Sequence, residues 1–261
     1  DEFFKQYKYA IKELFRITRD KRLTVIHCKD LPLFKWKDGF VGMQDFSGDI
    51  IKAYQEEGWI YHSRVTIWKD PVVEMQRTKA QKLLYKELCK DSTTSAQAAA
   101  DYLIIMRKPI LDESNIVPVQ SGEAERFYDY VGSSMYAPAQ QEINKGRTQE
   151  EKERLYSISV WQRYASPVWF DINQSNCLNA RRAKDEKDEK HMCPLQLDVI
   201  ERAIELWSNP NEIVFTPFMG IGSEVYSAIK MGRKGVGVEL KSRYYDVAVE
   251  NIKSAVKNKA S

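Results

Sequence analysis

Between Ile213 and Glu239 the chain runs strand, glycine turn, helix, strand and acid, and few folds can use that order. Ile213-Val214-Phe215 reads as a short buried strand, followed by Gly220-Ile221-Gly222 and a helix through about Met231. Lys234–Glu239 reads as the next strand. Glycines suit the segment after the first strand, because the backbone must turn sharply there and let a ligand approach closely. Glu239 stands 19 residues after Gly220. A carboxylate at the end of the second strand can accept hydrogen bonds from both hydroxyls of a ribose. The run is half of a doubly wound, nucleotide-type fold. Val225 stands where a dinucleotide fingerprint would carry its third glycine, which argues against a pyrophosphate on the helix N-terminus.

The rest of the chain is compatible with that half-fold. Phe3, Phe4, Tyr7, Ala10, Ile11, Leu14 and Phe15 recur at helical spacing. Leu23–Cys28 reads as a buried strand, Leu31–Ser47 as irregular, and Ser47 as the cap of a helix reaching Glu57 and closed by Gly58. Trp59–Trp68 is a strand ended by Asp70-Pro71, and Tyr102–Met106 is another. Residues 72–97 are helical in composition and basic, with Arg77, Lys79 and Lys82. Residues 109–165 are polar, rich in Tyr and Gln, and read as an inserted subdomain. Leu197, Ile200, Ile204 and Trp207 mark a helix face, and Tyr245, Ala248 and Ile252 a closing one.

Composition sets outer bounds. With 43% hydrophobic residues in 261, the chain can bury a real core, and wholly disordered classes are excluded. No apolar run approaches the roughly 18 residues that span a bilayer, and no secretory signal opens the sequence, so no membrane partner is expected. A net charge of +3 permits nucleic-acid binding without requiring it. Four cysteines without a CxxC pair give no zinc pattern, so no metal is expected, and thinly spread thiols suit a reducing cytosol.

Thr216-Pro217-Phe218-Met219-Gly220-Ile221-Gly222-Ser223 resembles the cofactor motif (D-P-F-x-G-x-G-S/T) of amino-methylating DNA methyltransferases. His191-Met192-Cys193-Pro194-Leu195-Gln196 is similar to their H-P-x-Q-K-P segment. The order of parts resembles the β class, in which the catalytic half precedes a target-recognition insertion and the cofactor half follows. The resemblance implies a Rossmann-like α/β fold, with a mixed, mostly parallel sheet and helices on both faces. The strands at 59–68 and 101–108 are expected to form its antiparallel edge.

The implied organisation is a catalytic half over 1–70, a basic helical insertion over 71–100, an edge strand at 101–108, target recognition over 109–165, and a cofactor half over 166–261. The cofactor implied is S-adenosylmethionine, held by His191, Pro194, Thr216, Pro217, Phe218, Gly220, Gly222, Ser223 and Glu239. The partner implied is double-stranded DNA in a cytoplasmic, nucleoid-associated setting of bacterial or phage type, with a homodimer or a restriction–modification partner left open. The reaction implied is methyl transfer to the exocyclic amine of a flipped base, adenine N6 ahead of cytosine N4.

Two departures stand out. Thr216 replaces the usual Asp, and the catalytic Asp/Asn/Ser-Pro-Pro-aromatic tetrapeptide is missing, since no two prolines are adjacent. The catalytic residues are therefore unknown and are expected upstream of Asp1. The alternatives are a non-catalytic DNA-binding subunit of a modification assembly, and a methyltransferase for RNA or a small molecule. Arg126, Lys145, Arg147 and Arg163, interleaved with tyrosines, join Arg77, Lys79 and Lys82 as candidate DNA contacts. His27, at a strand end, is either a functional group or a satisfied core histidine. Asp171 either lines the cofactor pocket or caps a helix.

Overall fold

Apolar residues three and four apart wind residues Glu2–Ile17 into helix α1, whose inward stripe meets the first sheet. The computed structural model describes residues 2–77, 89–94, 97–115, 148, 161–179 and 194–260. The chain divides into two compact units, Asp1–Pro118 with Ala165–Phe170, and Val119–Tyr164 with Asp171–Ser261.

In the first unit, strands β1 (Leu23–Lys29), β4 (Ile60–Ile67), β5 (Asp101–Arg107) and β6 (Val168–Trp169) form one sheet in the order β1-β5-β4-β6. Strand β5 is antiparallel to both β1 and β4, and β6 is parallel to β4. The sheet is mixed as expected, but the expectation that it would be mostly parallel is corrected in this unit, since β1–β5 and β4–β5 pair antiparallel and only the short β4–β6 pairing is parallel. The expectation that 59–68 and 101–108 would form an edge is corrected. They do pair antiparallel, but β5 is internal. It pairs with β1 on one edge and β4 on the other, and its apolar run Leu103-Ile104-Ile105-Met106 is buried on both faces. Ile104 and Met106 meet α1 and helix α3 (Phe46–Glu56) in a core with Ile11, Ile50, Tyr54 and Trp59.

Two local expectations also change. Leu31–Ser47 is not irregular. Strands β2 (Leu31–Leu33) and β3 (Gly42–Gln44) pair antiparallel around the short helix α2 (Lys35–Asp38). The α3 cap is Asp45, whose carboxylate accepts from the Gly48 N–H, while Ser47 is buried inside the helix. Asp70 caps helix α4 (Pro71–Arg77) by accepting from the Val72 N–H, with Pro71 at the first helical position. The remainder of the basic segment from 78 to 88, and nearly all of 116–160, lie outside the described residues.

The second unit packs helix α5 (Leu197–Trp207), strand β7 (Ile213–Thr216), helix α6 (Ser223–Lys230), strand β8 (Lys234–Gly237) and helix α7 (Ser242–Ala260). Strands β7 and β8 run parallel, joined by α6, as the βαβ reading requires. Leu197, Ile200 and Ile204 on α5 pack with Ala228 on α6 and Val214 on β7. Among the described residues no helix is long and apolar enough to cross a membrane.

Candidate functional site

The turn after β7 is tied at both ends by backbone groups. Met219 N–H donates to the Val238 carbonyl at 2.9 Å, and Val238 N–H donates to the Thr216 carbonyl at 3.1 Å. Gly222 N–H donates to the Met219 carbonyl at 2.8 Å. Gly220 and Gly222 have φ of +54° and +89°, a conformation that side chains resist. The two glycines differ in purpose. A Cβ on Gly220 would meet no atom within 4 Å, so the space above this backbone is open. A Cβ on Gly222 would lie 3.1 Å from Ala248 Cβ, so this glycine lets α7 back directly onto the turn. Asn251 adds a hydrogen bond from its side-chain amide to the Ile221 carbonyl at 2.9 Å.

Glu239 completes the turn. One carboxylate oxygen accepts from Gly220 N–H at 2.7 Å and the other from Lys241 N–H at 2.9 Å. Bonds of this kind, with an ionised acceptor, are short and strong. A carboxylate offers about four acceptor positions, so two remain for a ligand. Thr216, where the motif has Asp, is buried, and its hydroxyl accepts from the Phe218 N–H at 3.4 Å. It keeps the local turn bond without a charge. Pro217 is half-buried, Ser223 is buried at the start of α6, and the Phe218 ring is 67% exposed beside the open backbone. Pro194 is half-buried just before α5, and His191 lies outside the described residues.

The displaced third glycine has an explanation. A Cβ on Gly235 would lie 2.7 Å from Val225 Cγ1 and 3.0 Å from the Val225 Cα and carbonyl oxygen. The close approach of helix to strand that the fingerprint obtains with a glycine on the helix is obtained here with a glycine on the strand. The alternation Gly235-Val236-Gly237 was the available signal, since glycine inside a strand marks close backbone approach.

Asp171 serves an ion pair rather than a helix cap. It is buried and takes Arg202 in a two-point pair at 2.8 and 2.9 Å, with Arg163 at 3.8 Å. Arg163, expected on a DNA surface, is therefore placed inward, its side chain 10% exposed. Of the other candidate DNA contacts, Arg77 closes α4 with no described side chain, and Lys79, Lys82, Arg126, Lys145 and Arg147 lie outside the described residues.

A second polar constellation, in the first unit, was not foreseen. Asp101, at the start of β5, lies opposite Lys29 and Ile67 at the carboxyl ends of β1 and β4. Its carboxylate accepts from Lys69 at 2.7 Å and pairs with His27 Nε2 at 3.1 Å, with Lys29 at 3.8 Å. Lys29 also pairs with Glu74 on α4. Burial pushes the Asp101 carboxyl up, but the hydrogen bonds and charges of His27 and Lys69 outweigh it and hold the group at about 2. His27 is thus a partnered histidine within an ionic cluster.

The turn and its acid compare with known proteins as follows. Residues 1–250 match the model of a DNA methylase family. The chain is 30% identical over 115 residues to the type II methyltransferase M.HinfI of Haemophilus influenzae, covering 44% of this chain and 28% of that one. It is 33% identical over 119 residues to M.BglII of Bacillus subtilis, covering 40% and 33%. The matched stretches thus span about a third or less of these curated relatives. Among solved structures it is similar to TTHA0409 of Thermus thermophilus complexed with S-adenosyl-L-methionine, with a TM-score of 0.63, 18% identity, and coverage of 98% of this chain and 78% of that one. It is also similar to the cytosine-N4-specific PvuII DNA methyltransferase, at 0.50, 11%, 98% and 76%. These likenesses establish a Rossmann-like methyltransferase fold. With the family match running through 250 of its 261 residues, the chain belongs to the N6/N4 DNA methylase family.

Proposed function

We propose that the protein methylates an exocyclic amine of a base in double-stranded DNA, adenine N6 ahead of cytosine N4, with S-adenosylmethionine as donor. The observation that carries this reading is the Gly220 turn with open space above its backbone, closed on one side by the Glu239 carboxylate. Those residues fit an adenosine. Glu239 has acceptor positions for ribose hydroxyls, and Phe218 offers an exposed ring for the base. The bound cofactor supplies a methyl group on a sulfonium. The chain's own residues hold the nucleoside, fix its orientation by the turn, and leave the reacting end accessible, which is the positioning that such transfers need. The DNA surface is assigned to the basic stretch 72–97 and the insertion 109–165 on their sequence character. Action on cytoplasmic, nucleoid DNA follows from that substrate, and a homodimer or a restriction partner is an open arrangement.

Titration of the chain with S-adenosylmethionine in a calorimeter tests the reading. Glu239→Ala is expected to weaken binding by about 1.5–3 kcal/mol, the scale of hydrogen bonds to a charged group. Because Glu239 also holds Gly220, a cofactor lacking the ribose 2′-hydroxyl separates the two roles. It should bind the wild type more weakly than the natural cofactor, and the variant no more weakly. Equal affinity of wild type and Glu239→Ala for the natural cofactor would sink the assignment.

A further inference from the structure

We propose that the β2–α2–β3 hairpin, residues 31–44, is a DNA-contacting arm, with Trp36 and Phe40 packing against bases and Lys35 and Lys37 taking phosphates. This rests on the DNA-modifying reading above and adds a surface which that reading does not include.

The hairpin leaves β1 one residue after Lys29, at the carboxyl ends of β1 and β4, the end at which α/β sheets receive their ligands. Its foot is pinned, since Asp30 accepts from the Ser47 N–H at 3.1 Å and Gln44 donates to Asp49 at 2.9 Å. Its apolar side chains nevertheless face outward. Trp36 is 83% exposed and Phe40 60%. The Phe34 ring, 6.2 Å from that of Trp36, supports it from behind, and a Cβ on Gly42 would be in ordinary contact with Phe40 and Leu33.

The charges choose between partners. Asp38 has its carboxylate engaged by the Phe34 N–H at 2.7 Å, which ties the end of α2 back to its start. Lys35 and Lys37 are exposed and have no ion pair among the described residues. Lysine is depleted from protein–protein interfaces. Aromatic rings alternating with free cations are instead the composition of a stacking platform along a nucleic-acid backbone. A hydrophobic arm on a second copy of the chain would have to desolvate both lysines.

The test uses the full chain and fluorescent DNA of mixed sequence, both duplex and single-stranded, read by anisotropy across a salt series. Trp36→Ala/Phe40→Ala should weaken single-strand binding by about thirtyfold or more with the salt slope unchanged. Lys35→Ala/Lys37→Ala should lower the slope by about two. Both variants should keep the wild-type thermal melt and bind S-adenosylmethionine as the wild type does, which reports that both units are folded. Wild-type affinity and slope in both variants would overturn the arm while leaving the methyltransferase reading intact. Unchanged DNA binding with loss of a dimer in sedimentation would overturn it in favour of self-association. A wild type that fails to hold duplex at low salt would overturn both.

Discussion

The two units of the chain solve packing in opposite ways. The first fills its interior with bulk: Tyr54, Trp59, Trp169 and the run Leu103–Met106 are almost wholly buried. The second brings backbones together by leaving side chains out, at Gly222 against Ala248 and at Gly235 against Val225. Each also holds a buried, ion-paired carboxylate, Asp101 with lysines and a histidine in the first, and Asp171 with an arginine in the second. The difference bears on function. A bulky core supports a surface from which side chains project, whereas close backbone packing presents the main chain itself to a ligand.

The comparison breaks most readily at Asp171. Asp171→Ala leaves Arg202 buried without its carboxylate, and a loss of about 3–5 kcal/mol is expected in urea unfolding. Replacing both residues with apolar ones should recover much of it. A double variant as unstable as the single one would mean that the pair is not the source of the loss.

The glycine contacts come next. Gly235→Ala should cost about 1–3 kcal/mol, because the added methyl meets Val225 backbone atoms that cannot rotate away. Combining it with Val225→Gly should recover only the part due to Cγ1, since the Cα and carbonyl oxygen at 3.0 Å stay in place. Gly220→Ala meets no neighbour, so only its left-handed backbone opposes the change. Thermal melts of the three variants would measure how much of this unit's sensitivity is contact and how much is conformation.

The smallest effect is specific to pH. Asp101 in the folded chain titrates at about 2, below the ordinary 3.8. Its contribution is therefore complete above about pH 4 and is lost as pH falls towards 2, amounting to about 2 kcal/mol. Asp101→Asn should be less stable at neutral pH and show a shallower decline in acid. An identical acid limb in wild type and variant would remove Asp101 as its cause.

The turn and Glu239 were legible because they lie within 30 residues of one another and obey a single βαβ logic. The ionic cluster was not, because His27, Lys69 and Asp101 meet only through the register that sets Lys29 and Ile67 opposite Asp101. The hairpin was hidden by its own punctuation. Pro32, Gly39 and Gly42 read as breakers, yet Gly39 closes α2 in the left-handed conformation and Pro32 sits in a two-stranded ribbon, where a missing N–H is tolerated. Val225 was correctly read as a departure from the dinucleotide fingerprint. Its compensation lay ten residues away, on the facing strand.

The fastening of the turn from behind has a consequence for biosynthesis. Ala248 and Asn251 hold Gly222 and Ile221, some 30 residues earlier in the chain. A nascent chain that has exposed β7, α6 and β8 to solvent still lacks the helix against which the turn is set. Chains fold progressively as they emerge. The Gly220–Gly222 turn is thus among the late features of its unit to take shape, and a ribosome stalled before residue 251 would carry the motif without the helix that sets it.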